Sequence, residues 1–320
     1  MSLARMSVVI VTADGYERIR KTVSFLARQT VSGALEIVIA APEKLLDVQD
    51  PNWACFSDVK LVETGPFRTT GHPRADAVNH CTTPIVAFAE DHCFPEPNWA
   101  ERLIHLHSEG WAAVSPALRN ANPGALSWAD FLLNFGPAVK PVSSGSVTYT
   151  PWQNTSYKRE LLLTYGEPLG HLLEAEIRLQ QDLLKRGYQL FLDGTTLAEH
   201  VNFSNWSSFV GGQFSGARLY GSARAEAGAW SRSRRILYAS MFPLVPFVRA
   251  RHLFRDSKRT MTSGRNSTFV FACVVGLLVS AFGEACGYAF GSPPASRRMA
   301  YEFDGERHLH SPDLIPVRPA

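Results

Sequence analysis

The sequence predicts an α/β fold, a Rossmann-like and mostly parallel sheet with helices on both faces, followed by C-terminal apolar helices. Three observations carry this. Short β-branched runs alternate with amphipathic stretches through the first two hundred residues. The runs are apolar throughout, as strands covered on both faces are. Beyond about Asn205 the alternation gives way to basic and strongly apolar segments. A chain of 320 residues accommodates one large α/β domain and an appendage, divided here as residues 1–205 and 206–320.

Each element has its local reason. Ser7-Val-Val-Ile-Val-Thr12 reads as a buried strand, and Tyr16 to Gln29, with Ile19, Val23, Phe25 and Leu26 apolar, as the helix after it. Leu35 to Ala40 is a second strand, Lys60 to Glu63 a weaker third, and Arg74 to His80 a short helix. Pro84 to Ala89 is again a strand, Asn98 to Ser108 an amphipathic helix, and Trp111 to Ser115 a strand. Repeated β-α units of this length imply a parallel sheet. From Asn120 to Pro151, Gly, Pro and Ser interrupt short apolar patches, which predicts loops over a cleft. One helix is expected from about His171 to Arg186, stopped by Gly187, then a strand at Tyr188 to Leu192 and the domain edge near His200.

Composition excludes some functions. With 45% hydrophobic and 19% charged residues the chain is a folded protein, and a net charge of only +3 does not describe a nucleic-acid binder. The five cysteines form no CxxC pair and no zinc spacing, so reduced thiols are expected. The basic excess is local: Arg218 to Arg265 holds eleven Lys or Arg against Glu226 and Asp256. It lies beside apolar helices, as at an anionic membrane surface. Phe269 to Gly291 is long enough to span a bilayer, but Glu284 and four glycines suit an interfacial helix equally well.

The loop Thr12-Ala-Asp-Gly-Tyr16 follows the first strand, the expected ligand edge of an open α/β sheet. Asp14 there suits a base or ribose, Tyr16 suits stacking, and Arg74 suits a diphosphate. The run Ile85-Val-Ala-Phe-Ala-Glu-Asp-His92 ends a strand in Glu90, Asp91 and His92, groups able to hold a divalent ion.

Taken in order, Ser7 to Thr12, Gln29-Thr30, Glu36 to Ile39, Arg74 to Asn79, Ile85 to His92 and Pro95-Glu-Pro-Asn-Trp99 resemble family 2 glycosyltransferases of the bacterial type. The resemblance covers roughly residues 5–205 and implies a GT-A fold. It implies transfer of a sugar from a nucleotide sugar to a glycan or lipid-linked acceptor, with inversion and with Mn²⁺ or Mg²⁺. Glu90 would face the ribose or metal, Asp91 would belong to the nucleotide-sugar site, His92 would take the place of the last Asp of an Asp-x-Asp motif, and His200 would join the metal or diphosphate. The general base would be Glu176, eleven residues before Gly187, or Glu174, which points to a different helix face. Trp152, Asn154 and Tyr157 would shape the acceptor cleft. Ala40-Ala41-Pro42 stands where the family carries Asp residues, one reading the base, so no donor nucleotide is assigned. The tail would hold such an enzyme at the cytoplasmic face of a membrane, with no nucleic-acid partner. A catalytically silent nucleotide- or sugar-binding scaffold docked at the membrane is the alternative.

Overall fold

Strand β1 (Met6–Val11) sends Met6, Val8 and Ile10 to one side of the sheet and Val9 to the other, and all four are buried. That two-sided burial is why its sequence is apolar at successive positions rather than at every second one. The computed structural model describes residues 4–13, 15–43, 48–67, 69–122, 124–261 and 264–293. After β1 come α1 (Tyr16–Ala27), β2 (Leu35–Ala41), β3 (Asp58–Glu63), α2 (Gly71–His80), β4 (Ile85–Ala89), β5 (Cys93–Pro95), α3 (Trp99–Ser108) and β6 (Ala113–Asn120). Then follow α4 (Ala125–Phe135), β7 (Gly145–Val147), β8 (Ser156–Lys158), α5 (Arg159–Leu163), α6 (Leu169–Glu174), α7 (Ile177–Lys185) and β9 (Leu190–His200). The C-terminal helices are α8 (Trp206–Ala227), α9 (Arg232–Ser240), α10 (Val245–Thr260) and α11 (Ser267–Phe290).

Among the described residues the strands form one sheet in the order β3-β2-β1-β4-β8-β6-β9-β5, with β7 paired to β9. β1 runs parallel to β2 and β4, and β2 parallel to β3. The sheet is mixed, because β8 is antiparallel to both β4 and β6 and β7 is antiparallel to β9. The architecture is therefore the Rossmann-like, GT-A-like sheet between helices, with a long apolar C-terminal helix. One core packs Val8, Ile10, Ile37 and Ile39 against Ile19 and Val23 of α1 and Leu103 of α3. The other packs Val9, Val38, Val86 and Phe88 against Ala77 and Val78 of α2 and Leu179 and Leu183 of α7.

Contacts divide the chain into an α/β unit, residues 1–117 with 143–199, and a helical unit that contains α4 and α8–α11. The division cuts β6 after Ala117 and β9 between Glu199 and His200, so both strands are continuous through it.

Three expectations change. Residues 120–151 are not all loop: α4 buries Leu126, Phe131 and Leu132, a helix hidden in the sequence by the Gly and Pro around it. The single helix expected over 171–186 is two, α6 and α7, because Ala175 is extended (φ −139°, ψ 93°) and Glu176 turns inward. The strand expected at Tyr188–Leu192 continues to His200 as β9.

Candidate active site

Glu90 follows directly on β4, and α1 fixes the turn there, Thr22 Oγ1 donating to the Glu90 carbonyl at 3.1 Å. His92 is buried, and its Nδ1 lies 2.6 Å from Asp91 Oδ1. A carboxylate only accepts, so Nδ1 carries the proton and Nε2 the lone pair, the tautomer a metal ligand needs. Arg18 stands 3.6 Å from the other Asp91 oxygen. His92 Nε2 lies 3.6 Å from Glu90 Oε1.

His200, the last residue of β9, repeats the arrangement. Its Nδ1 lies 2.9 Å from Asn202 Oδ1. The Asn202 amide is oriented by donating through Nδ2 to Asn120 Oδ1 and to the His200 carbonyl, both at 2.9 Å. The rings of Phe131 and Phe135 flank the imidazole, with centroids 6.4 and 4.6 Å away. Glu90, His92 and His200 each offer one ligand atom, and these atoms lie within 4.8 Å of one another. Two imidazoles with Nδ1 tied back and one carboxylate fit a divalent ion, the imidazoles favouring a first-row transition ion over Mg²⁺.

A second set of contacts adjoins this cluster. Glu176 directly precedes α7 and is fully buried. Its Oε1 accepts from Arg74 Nη1 at 2.8 Å and from the Gln153 backbone N–H at 2.6 Å, and its Oε2 from Tyr157 O–H at 2.7 Å. Burial pushes the Glu176 carboxyl up, Arg74, Tyr157 and Gln153 pull against it, and the Glu90 charge adds to the rise. Arg74 is held by the Thr70 carbonyl at 2.8 Å and lies over the Phe88 ring. Gln153 has φ 62°, a left-handed backbone that a side-chain-bearing residue adopts at a cost of about 1 kcal/mol or more. The strained turn aims one N–H at Glu176, and the next side chain, Asn154, donates to Glu90 Oε2.

The structure thus gathers Arg74, Glu90, Asp91, His92, Asn154, Tyr157, Glu176 and His200 from the residues that the sequence singled out. Others are placed differently. Thr12 is buried, with Oγ1 donating to the Gly15 carbonyl at 2.6 Å. The Tyr16 ring packs edge-on to Trp53, whose Nε1 donates to the Tyr16 oxygen at 2.8 Å, and burial pushes its phenol up. Glu174 is partly buried, 3.7 Å from His171 Nδ1 and 3.9 Å from Arg178. Trp152 is half-buried in the turn before Asn154. Asp14 lies outside the described residues. Sequence reasoning missed Arg18, Gln153 and Asn202. Only Asn202 left a signal, an amide two residues beyond a candidate ligand.

No sequence-family description matches the chain, and no curated protein does. Among solved structures it is similar to GalNAc-T7 crystallised with UDP, GalNAc and Mn²⁺, at 14% identity and a TM-score of 0.48, over 62% of this chain and 43% of that one. It is similar to S. aureus TarS at 14% identity and a TM-score of 0.47, over 82% of this chain and 44% of that one. A TarS 1-349 structure aligns at 14% identity and a TM-score of 0.43, over 69% of this chain and 65% of that one. The chain spans less than half the length of the first two. At these scores any functional reading stands on the chain's own residues.

Proposed function

We propose that the chain is a metal-dependent, inverting glycosyltransferase that moves a sugar from a nucleotide-sugar donor to a glycan or lipid-linked acceptor, as its resemblance to family 2 enzymes implies. The observation that carries this is the Glu90, His92 and His200 cluster at the strand ends, with both imidazoles set in the ligating tautomer. These three residues would hold the ion, which supplies charge neutralisation to a departing diphosphate.

The protein's own groups have separable roles. Asp91 and Asn202 orient the two imidazoles, and Asn154 orients Glu90. The donor would lie along the 12–16 loop, with Thr12, Asp14 and Tyr16, and near Arg74 and Asp91. The acceptor would lie by Trp152, Asn154 and Tyr157. The base for the acceptor hydroxyl is a carboxylate of residues 174–176: Glu176 has the raised proton affinity a base requires, and Glu174 is the one of the two that is not fully buried. A pH–rate profile of Glu174→Gln and Glu176→Gln assigns it, because only loss of the base removes the acidic limb.

Calorimetry of UDP, GDP and their sugars, with and without Mn²⁺, on wild type and His92→Ala tests the reading. Metal-dependent binding that His92→Ala abolishes is expected, and nucleotide binding indifferent to Mn²⁺ and to His92 would overturn it. One observation favours a silent binding scaffold instead, the complete burial of Glu176 with both oxygens engaged. Donor turnover in the presence of acceptor sugars separates the two.

A further inference from the structure

Among the described residues α11 is the one helix long and apolar enough to cross a membrane. Its two faces differ. One face is buried on α8, where glycines bring the backbones together: a Cβ on Gly283 would stand 2.5 Å from the Phe214 carbonyl oxygen, and one on Gly287 2.2 Å from that of Arg218. On this covered side Glu284 is buried and ion-paired with Arg224 and Arg249. The other face bears Val270, Phe271, Val274, Leu278 and Phe282, each about half exposed or more, with no charged residue among them. A helix on a water-facing surface turns polar side chains outward.

The apolar surface continues across neighbouring elements. Trp206 of α8 meets Phe271 at 5.5 Å between ring centroids, and Phe242, between α9 and α10, meets Phe282 at 6.0 Å. Phe247 of α10 is 78% exposed and Ile236 of α9 66%. Single exposed apolar residues are ordinary, but a stripe on α11 extended by ring contacts to Trp206 and Phe242 marks an interaction surface. Residues 231–266 hold nine Lys or Arg against one acid, Asp256, which is buried beside Arg259. Arg232, Arg234, Arg251 and Arg255 are exposed.

We propose that this helical unit docks on an anionic lipid surface with α11 lying in the plane of the interface, not crossing the bilayer. Crossing would carry into hydrocarbon either the Glu284 carboxylate without its arginines or α8 with Arg218, Arg224 and Glu226. In-plane docking leaves those pairs intact, buries the aromatic and aliphatic stripe at the headgroup boundary and sets the basic residues against lipid phosphates. The inference is independent of the sugar-transfer reading, because lipid binding and not turnover is measured.

The test uses the full chain and vesicles of phosphatidylcholine with or without 30% phosphatidylglycerol, taken as about a third anionic lipid. Partitioning at least about tenfold stronger onto the anionic vesicles is expected, with a loss of about tenfold or more in Arg251→Glu/Arg255→Glu and in Phe247→Glu. Nitroxide labels at Phe271→Cys and Phe282→Cys, in a Cys55→Ser/Cys286→Ser background, then report depth. These positions lie about 16 Å apart along the helix axis. Equal depths support in-plane docking, and depths differing by most of that distance overturn it in favour of a span. Equal affinity for neutral and anionic vesicles also overturns it, as does a stable dimer that protects Phe271 and Phe282 without lipid.

Discussion

Replacing Arg74 by Met strands Glu176, a fully buried carboxyl whose cation is 2.8 Å away. Breaking a buried pair from one side costs about 3–5 kcal/mol. The burden is bounded by protonation, because the carboxyl can take up a proton instead of remaining charged. From its ordinary value of 4.5, that costs about 3.4 kcal/mol at pH 7 and about 0.7 at pH 5, at 1.36 kcal/mol per pH unit. The lost hydrogen bond from Arg74 to the Thr70 carbonyl adds about 1 kcal/mol. The wild type already bears part of the protonation cost through burial, so the expected destabilisation is at most about 4 kcal/mol at pH 7 and at most about 2 at pH 5. The sign follows from the direction of the shift. Burial already raises the Glu176 pKa in the folded protein, so its contribution is present below 4.5 and is lost as pH rises through the folded value. Removing Arg74 raises that value further and steepens the loss. Urea unfolding of the full chain at pH 5 and pH 7, followed by tryptophan fluorescence, measures both. Arg74→Met/Glu176→Gln, with no charge left at this position, should be more stable than Arg74→Met at pH 7, and the gap between the two should narrow at pH 5. A loss below about 1 kcal/mol at pH 7, or one equal at both pH values, refutes the reasoning.

Other outcomes follow from the same contacts. His107 is buried between Ser156 Oγ, 2.8 Å away, and the Trp111 carbonyl, and burial pushes its pKa down to about 4. Its stabilising contribution is whole above pH 6.5 and falls away by about 3 kcal/mol as pH drops towards 4, a slope that His107→Asn should remove in acid-unfolding curves. Asp91→Asn, which no longer holds the His92 tautomer with a charge, should weaken Mn²⁺ about 10–100-fold by calorimetry, and unchanged affinity would contradict the cluster. Gly71→Ala places a Cβ 2.0 Å from the Gly170 carbonyl oxygen, so α2 and α6 must part, at about 1–3 kcal/mol in urea unfolding.

The parallel part of the sheet was legible because its strands are buried on both sides, which makes β1 and β4 apolar at nearly every position. The antiparallel β8 was not, since Ser156, Tyr157 and Lys158 carry no strand-like pattern and their pairing to β4 and β6 is a tertiary fact. The break between α6 and α7 was hidden for a related reason. Helical spacing continues across Ala175, but Arg74, 102 residues away from Glu176, draws that carboxylate inward. The ligand cluster could be read from residue order and chemical type, whereas the acceptors that set its imidazoles needed geometry. Asn202 illustrates this: its side chain matters only because its amide is itself oriented by Asn120.

The missing Cβ layer between α8 and α11 has a consequence for the energetics of adsorption. Where backbones touch at Gly283 and Gly287, the two helices pack with no side chain between them and are already formed before any lipid arrives. A segment that folds only on a membrane must offset its own chain entropy at that moment. Here that loss has already been met in folding, so the apolar face would adsorb with unchanged helicity, and its affinity would carry no cost of helix formation.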